Sequence, residues 1–174
     1  MKSFVDYLSQ YAAYHRDKRN IATHFIGIPM IVAGVVILTS RPVFLYVDGV
    51  AISLASLFVG LQALFYLKLD IRFGIAMTAF LLACLWLGQW LAAQSIMNWL
   101  IVGVGMFVVG WIIQFVGHYY EGKKPAFVDD IMGLAIGPIY VAAELAFELG
   151  LRKEIEGAVV ARVGPTHIRQ MKTA

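Results

Sequence analysis

The chain has 174 residues, of which 60% are hydrophobic and 14% charged, with a net charge of +3 and a mean hydropathy of +0.76. Soluble domains have about 45–50% apolar and about 25% charged residues, so this composition indicates a membrane protein. The length suits one compact helical domain. Basic residues cluster at the ends of apolar segments, which favours a role in membrane topology over nucleic-acid binding.

The N-terminal segment 3–18 is predicted to form an amphipathic helix that lies in the membrane interface. Its apolar positions recur at helical spacing and are Phe4, Leu8, Tyr11 and His15. Asn20 is a candidate N-cap for the next helix, because its side-chain oxygen can accept from a backbone N–H there. We expect no secretory signal peptide, since the segment carries Asp6 and lacks a small-residue cleavage site.

Four further segments have the length and apolarity of transmembrane helices, and none alternates with the period of two that a strand requires. We place these spans at about 22–39, 49–67, 73–93 and 97–117. The predicted fold class is therefore all-α, an integral membrane helical bundle. It forms one transmembrane catalytic domain over 1–150, followed by a polar cytoplasmic tail over 151–174. Cys84 lies inside a span, where packing is its expected role.

The lysines and arginines between the predicted spans divide unequally between the two membrane faces. With four spans, one face carries Lys2, Arg16, Lys18, Arg19, Lys68, Arg72, Lys123 and Lys124, and the other carries only Arg41. The positive-inside rule then predicts a cytoplasmic N-terminus. The same count places His15, His24 and His118 on the cytoplasmic side.

A fifth apolar segment, about 127–149, is predicted to be a re-entrant or interfacial pair of short helices over the cytoplasmic mouth. Gly137-Pro138 should break the helix, and Glu144 and Glu148 would be costly in lipid. Two residues at its start are candidate helix caps, Asp129 and Asp130. Beyond it we expect a short helix and then a mobile tail.

Three of the four histidines, His15, His24 and His118, lie at helix ends on the same predicted face. Neutral imidazoles bind iron, zinc, manganese or copper readily, so the set is a candidate metal site. The alternative is that each is an ordinary interfacial residue bonded to a carbonyl and to water. His167 lies in the polar tail, and we expect it to be solvated and outside the site.

Two acidic residues are candidates for a functional role beside the histidines. Glu121 follows His118 by three residues and shares its helix face, although a surface pair with Lys123 or Lys124 would also explain it. Glu144 lies in the apolar stretch VAAELAF, so it must be paired, protonated or bound. It is a candidate fourth ligand, hydrogen-bonding partner of a histidine or proton carrier.

Three stretches, YHRDKRNIATHFIGIP, WIIQFVGHYYEGKKPAFVDD and GPIYVAAELAF, resemble a known family in order and spacing over roughly residues 5–150. The family comprises small membrane proteins whose fungal member is the 2-hydroxy fatty acid dioxygenase of phytosphingosine breakdown. This chain resembles its bacterial branch, which implies an inner-membrane location. Residues matching motif positions are His15, Asn20, His24, Gln114, Gly117, His118, Glu121, Pro125, Pro138 and Glu144.

The resemblance implies an Fe²⁺-dependent enzyme that uses O2 to remove C1 of a 2-hydroxy fatty acid, leaving CO2 and an acid one carbon shorter. It implies metal ligation by the three motif histidines. Glu144 or Glu121 would orient a histidine or carry a proton. The residues expected to bind or steer the substrate carboxylate are Arg16, Asn20, Lys123 and Lys124. The acyl chain would lie between spans or against membrane lipid.

Two other functions stay open from the residues alone. The same histidines could hold zinc in a membrane lipid hydrolase, which would not consume oxygen. Alternatively the chain is a small non-enzymatic membrane protein without a metal. The absence of charged residues in the centres of the first four spans argues against an ion or proton pathway. The oligomeric state is also open, since Gly103, Gly105 and Gly110 suit close packing within or between chains.

Overall fold

The computed structural model describes residues 2–170, which are helical apart from one β-hairpin and the connecting segments. This architecture confirms the predicted all-α membrane fold class. The elements in chain order are α1 Phe4–Ala12, α2 Lys18–Thr39, β1 Val43–Val47, β2 Val50–Ser53, α3 Leu54–Leu69, α4 Ile71–Ala93, α5 Ile96–Glu121, a 3₁₀ helix Ala126–Val128, α6 Met132–Glu148 and α7 Lys153–Val163.

Three helices are long and apolar enough to cross a membrane, namely α2, α4 and α5 with 22, 23 and 26 residues. At a rise of 1.5 Å per residue, 22 residues span about 33 Å, which covers a hydrocarbon core of about 30 Å. Large apolar side chains on α4 and α5 face outward, including Trp86 at 70% and Ile101 at 61% exposure. These outward faces suit contact with lipid rather than with water.

The second predicted span differs from the structure. The prediction of an unbroken helix over 49–67 was wrong at its start, because β1 and β2 form an antiparallel hairpin around Asp48-Gly49. Both turn residues have positive φ, 48° and 81°, as a two-residue hairpin turn requires. An Asp-Gly pair between β-branched and aromatic residues is itself a hairpin signal in the sequence. The helix α3 that follows has 16 residues and is shorter than α2, α4 and α5.

The described residues divide into two compact units, and the first comprises 2–28 and 112–170. In it, α1 begins with a capping box between Ser3 and Asp6 and ends at Ala12, six residues before the predicted end. Its buried face packs against α6 and α7. Asp6 also pairs with Arg162 of α7 at 2.6 Å. The apolar stripe of α1 is thus covered by protein.

Helix α6 runs unbroken through Gly137-Pro138, so the predicted break at that pair was wrong. Proline removes one helical hydrogen bond, and the burial of its neighbours Ile136, Ile139 and Tyr140 outweighs that loss. The break falls instead after Glu148, where α6 and α7 meet at 112°. Of the two predicted caps, Asp130 accepts from the Met132 N–H at 2.9 Å, but the N-cap position of α6 is Ile131 and Asp129 pairs with Lys124 instead.

The second unit comprises 29–111 and contains the hairpin, α3 and α4. Only Asp70 separates α3 from α4, and its carboxylate caps α4 by accepting from the backbone N–H groups of Arg72 and Phe73. A side chain at Gly74 would meet the Leu67 backbone at 2.6 Å, so only glycine permits this close turn. The two helices are therefore antiparallel neighbours.

Candidate metal centre

His15 lies in the short connection between α1 and α2 and is fully buried. Its Nδ1 lies 2.8 Å from the Tyr11 carbonyl oxygen. Because a carbonyl only accepts, Nδ1 carries the proton and Nε2 carries the lone pair. The described residues offer Nε2 no hydrogen-bond partner. Burial, with the nearby imidazole of His24, lowers the pKa of His15 well below its ordinary value, so the ring is neutral.

His24 lies on the first turns of α2, and its exposed fraction is only 2%. Its Nδ1 donates to the Asn20 carbonyl oxygen at 2.8 Å, one helical turn earlier. The arrangement repeats that of His15, which also donates to the carbonyl four residues before it. In both residues the backbone therefore selects the tautomer that leaves Nε2 unprotonated.

His118 approaches the same point from the last turns of α5. Its ring centroid lies 5.1 Å from that of His15 and 5.2 Å from that of His24, while the other two rings are 4.6 Å apart. One potential ligand nitrogen from each residue lies within 4.8 Å of the others. The three histidines are thus brought together, in a group that could hold a metal ion.

Unpaired polar atoms concentrate around these histidines. Of seven buried side-chain atoms without a hydrogen-bond partner in the described residues, five belong to His15, Asn20, Gln114 and His118. Leaving such atoms unpaired costs about 1–3 kcal/mol each. A ligand that satisfies them would recover that cost, so this observation supports a binding site at the cluster.

Glu121 is buried and fully engaged by hydrogen bonds to the segment that carries His15. Its carboxylate accepts from the backbone N–H groups of Arg16 and Asp17, at 3.0 and 2.8 Å, and from the Asn20 side chain at 3.0 Å. It shares the buried face of α5 with His118, as its spacing predicted. The carboxylate thus fixes the chain between His15 and α2.

Asn20 lies inside α2, because that helix begins at Lys18, so its predicted role as N-cap was wrong. The cap is provided by Asp17, whose Oδ1 accepts from the Arg19 N–H at 2.9 Å. Asn20 is fully buried against α5, where it contacts Glu121 and lies beside Gly117. Aspartate and asparagine cap helices about equally well, so residue type alone did not distinguish Asp17 from Asn20.

Arg16 and Glu144 form a buried ion pair with an N–O distance of 3.2 Å. The guanidinium of Arg16 also donates to the Tyr140 hydroxyl at 2.8 Å and to the carbonyl oxygens of Ala12 and His15. Tyr140 in turn donates to the His15 carbonyl oxygen at 3.1 Å. The ion pair explains how Glu144 is tolerated in an apolar helix, and the network fixes the backbone at His15.

The two predicted carboxylate-steering lysines are exposed and follow the end of α5. Lys123 donates to the Ala13 carbonyl oxygen at 2.8 Å, and Lys124 pairs with Asp129. Asp129 also accepts from the Tyr14 hydroxyl at 2.8 Å. Both lysines thus tie this connection to the end of α1, close in sequence to His15.

The segment after α7 pairs with the segment after His15 and forms a feature that we call the C-terminal strap, residues 164–169. His167 makes an isolated parallel bridge with Asp17, donating its N–H to the Arg16 carbonyl and accepting from the Lys18 N–H, both at 2.9 Å. The Arg169 N–H donates to the buried Asp17 carboxylate at 2.8 Å. The described tail is therefore bound by backbone pairing, and the His167 side chain is exposed, as expected.

Sequence reasoning missed several residues around the histidines. The Tyr11 ring stacks on His15, and Tyr140 and Asp17 hold its backbone segment. Tyr11 precedes His15 by one helical turn, and that spacing was a usable signal. The bridge between Asp17 and residue 167 joins positions 150 apart and left no local pattern.

These features define a class: a small helical membrane protein with three buried histidines that could hold a metal ion. The chain belongs to the family described as 2-hydroxy-palmitic acid dioxygenase Mpo1-like, which matches residues 1–149 and confirms the predicted family. It is also similar to the 2-hydroxy-palmitic acid dioxygenase MPO1 of Saccharomyces cerevisiae. The two are 29% identical over 155 residues, covering 87% of this chain and 84% of the yeast protein. No solved structure matches the chain.

Proposed function

We propose that this protein is an Fe²⁺-dependent dioxygenase that removes C1 of 2-hydroxy fatty acids. The observation that carries the proposal is the buried cluster of His15, His24 and His118, found in a chain of the Mpo1-like family. Three neutral imidazoles leave further coordination positions on an iron ion, as oxygen-activating iron sites require. The name of the yeast relative supports a 2-hydroxy acid as the substrate class.

The proposed reaction balances without an external reductant. A 2-hydroxy acid, R–CH(OH)–COOH, and O2 give R–COOH, CO2 and water. The C1–C2 bond breaks, the substrate loses four electrons and O2 accepts them. Iron would supply a centre that binds the hydroxy acid and O2 together, which places the reactants within reacting distance.

In this proposal the chain holds the histidines in one geometry. Tyr11 and Asn20 supply the carbonyl oxygens that keep Nδ1 of His15 and His24 protonated and Nε2 available. Glu121 acts as a positioning residue through the backbone after His15. Glu144 acts the same way through Arg16, whose guanidinium is engaged with protein groups.

We further propose that Lys123 and Lys124 attract the substrate carboxylate to this end of the protein, because both are exposed and cationic. We place the N-terminus and the metal site on the cytoplasmic side of a bacterial inner membrane. The excess of lysine and arginine near the N-terminus supports the cytoplasmic side, and the resemblance to the bacterial branch of the family supports the inner membrane. The acyl chain would extend along apolar helix surface or into lipid, which is consistent with the outward apolar faces of the helices.

The test is metal analysis and oxygen consumption on protein purified anaerobically in detergent. We expect about one iron per chain, and O2-dependent conversion of 2-hydroxyhexadecanoic acid to pentadecanoic acid and CO2. His15→Ala, His24→Ala and His118→Ala should each lose iron and activity. The matched control is His167→Ala, which removes an exposed imidazole while the strap keeps its backbone pairing.

Three other outcomes would favour a different function or change the set of metal ligands. Stoichiometric zinc together with ester hydrolysis and no oxygen uptake would replace the dioxygenase with the hydrolase. Full activity in one histidine variant would remove that residue from the ligand set. A folded wild type that neither holds nor binds added metal would overturn the proposal.

A further inference from the structure

Gln114 is a buried side chain that the proposed metal chemistry does not use. It lies on α5 one helical turn before His118, with only 4% of its surface exposed. Neither its Nε2 nor its Oε1 has a hydrogen-bond partner in the described residues. An unpaired buried amide is costly on both its donor and its acceptor side, so packing alone does not account for glutamine here.

The helix places this amide beside the histidine cluster. The buried stripe of α5 at its C-terminal end is formed by Gln114, Gly117, His118 and Glu121. Helical side chains lean toward the N-terminus, so the His118 ring leans toward the position of Gln114. A side chain at Gly117 would collide with Thr23 and Asn20, which shows that the stripe faces the helix that carries His24.

A 2-hydroxy acid offers the complementary groups to a primary amide. Its carboxylate accepts hydrogen bonds and its hydroxyl donates one, while the glutamine side chain has two N–H donors and a carbonyl acceptor. We propose that Gln114 recognises the head group of a 2-hydroxy acid, with Nε2 donating to the carboxylate and Oε1 accepting from the 2-hydroxyl. This inference rests on the proposed function for the substrate class and makes Gln114 a specificity-determining residue.

The proposal predicts discrimination between two acids of the same chain length. A site that uses a buried acceptor for a hydroxyl rejects the analogue lacking it, because the acceptor then stays unpaired. Wild type should therefore bind 2-hydroxyhexadecanoic acid more tightly than hexadecanoic acid. Gln114→Met keeps an unbranched side chain of similar size without the amide. It should weaken binding of the hydroxy acid by about 10- to 100-fold and reduce the preference accordingly.

The experiment measures binding of both acids to anaerobic, detergent-purified protein, together with metal content and melting temperature. Gln114→Met should retain its metal and melt at the wild-type temperature or above, because replacing an unpaired buried amide removes a desolvation cost. Gln114→Glu serves as the second variant and should bind the hydroxy acid more weakly still, since its carboxylate repels that of the ligand. Gln94→Met is the matched control, at an exposed glutamine of the other unit.

The outcomes separate this inference from the proposed dioxygenase. Unchanged affinity and preference in Gln114→Met would overturn the role of Gln114 while leaving the reaction intact. Lost metal or a lowered melting temperature in both variants would also overturn it and assign Gln114 a structural role. A wild type that does not shorten the acid, yet shows the Gln114-dependent preference, would overturn the reaction and retain the recognition. A wild type without any preference would overturn the recognition whatever the reaction.

Discussion

The aromatic ring of Tyr11 lies parallel to the imidazole of His15, with ring centroids 4.1 Å apart and an interplanar angle of 1°. The Tyr11 carbonyl oxygen also accepts from Nδ1 of the same imidazole at 2.8 Å. One residue therefore restrains both the plane and the tautomer of His15. The backbone contact survives any substitution of Tyr11, whereas the stacking depends on its aromatic ring.

We expect Tyr11→Leu to weaken metal binding by about tenfold. Groups that orient a metal-coordinating side chain typically change the affinity for the metal by about 10- to 100-fold. The measurement is competition for iron against a chelator of known affinity. Tyr11→Phe is the control, since it keeps the stacked ring and should bind like wild type. Equal losses in the two variants would show that the hydroxyl, and not the stacking, is responsible.

Glu121→Ala should lower the free energy of unfolding by about 3 kcal/mol, because it leaves buried donors of Arg16, Asp17 and Asn20 unpaired. It should also reduce metal content, since the segment carrying His15 loses its anchor. Thermal unfolding in detergent and metal analysis check the two effects. Glu148→Ala removes an exposed carboxylate and should change neither quantity. A stable Glu121→Ala protein without metal would favour a direct role at the metal instead.

The buried pair of Arg16 and Glu144 predicts a non-additive pair of substitutions. Glu144→Leu should lower the free energy of unfolding by about 3–5 kcal/mol, because it leaves the buried Arg16 guanidinium without its counter-ion. Adding Arg16→Met should recover part of that loss. A double-mutant cycle by thermal unfolding should give a coupling of at least about 1 kcal/mol. Simple additivity would show that the two side chains stabilise the fold independently.

A chain ending at Val163 should bind metal more weakly than the full chain and melt at a lower temperature. It lacks the strap that pairs with Arg16, Asp17 and Lys18 and so loses the backbone bonds closing the segment after His15. Chelator competition and thermal unfolding measure the effect. Ile168→Ala alters an exposed side chain of the strap, keeps its backbone bonds and should behave like wild type. Unchanged metal affinity in the shortened chain would remove the strap from the support of the site.

Asp6 predicts an acid-sensitive contact between α1 and α7. Hydrogen bonding to Arg162 and then to Ser3 lowers the pKa of Asp6 from 3.8 to about 2. A carboxyl whose pKa is depressed by folding stabilises the fold above its unfolded pKa, and the contribution disappears as pH falls through the folded value. The difference in melting temperature between wild type and Asp6→Asn should be constant at pH 5–7 and shrink between about pH 4 and 2. A difference that is the same at pH 7 and pH 2 would contradict this assignment.

Much of the fold could be predicted because membrane helices depend on local composition. A run of about 20 apolar residues in lipid must form its backbone hydrogen bonds within the helix. The helices α2, α4 and α5 could therefore be predicted from the sequence. The hairpin at 43–53 was missed because its apolar residues were assigned to a span, although Asp48-Gly49 marked the turn. Gly137-Pro138 was a misleading signal, since the packing of α6 overrides a local preference.

By itself, the sequence determined the class of fold, the family and the three histidines, because each follows from composition, length or a motif of fixed spacing. Only the tertiary structure decided what surrounds those histidines. It paired Arg16 with Glu144, directed Glu121 onto backbone N–H groups and placed the strap beside Asp17. It also left the Gln114 amide buried with no hydrogen-bond partner among residues 2–170. These relationships join residues distant in the chain, and a side chain's hydrogen-bond partners depend on positions in space that no local pattern encodes.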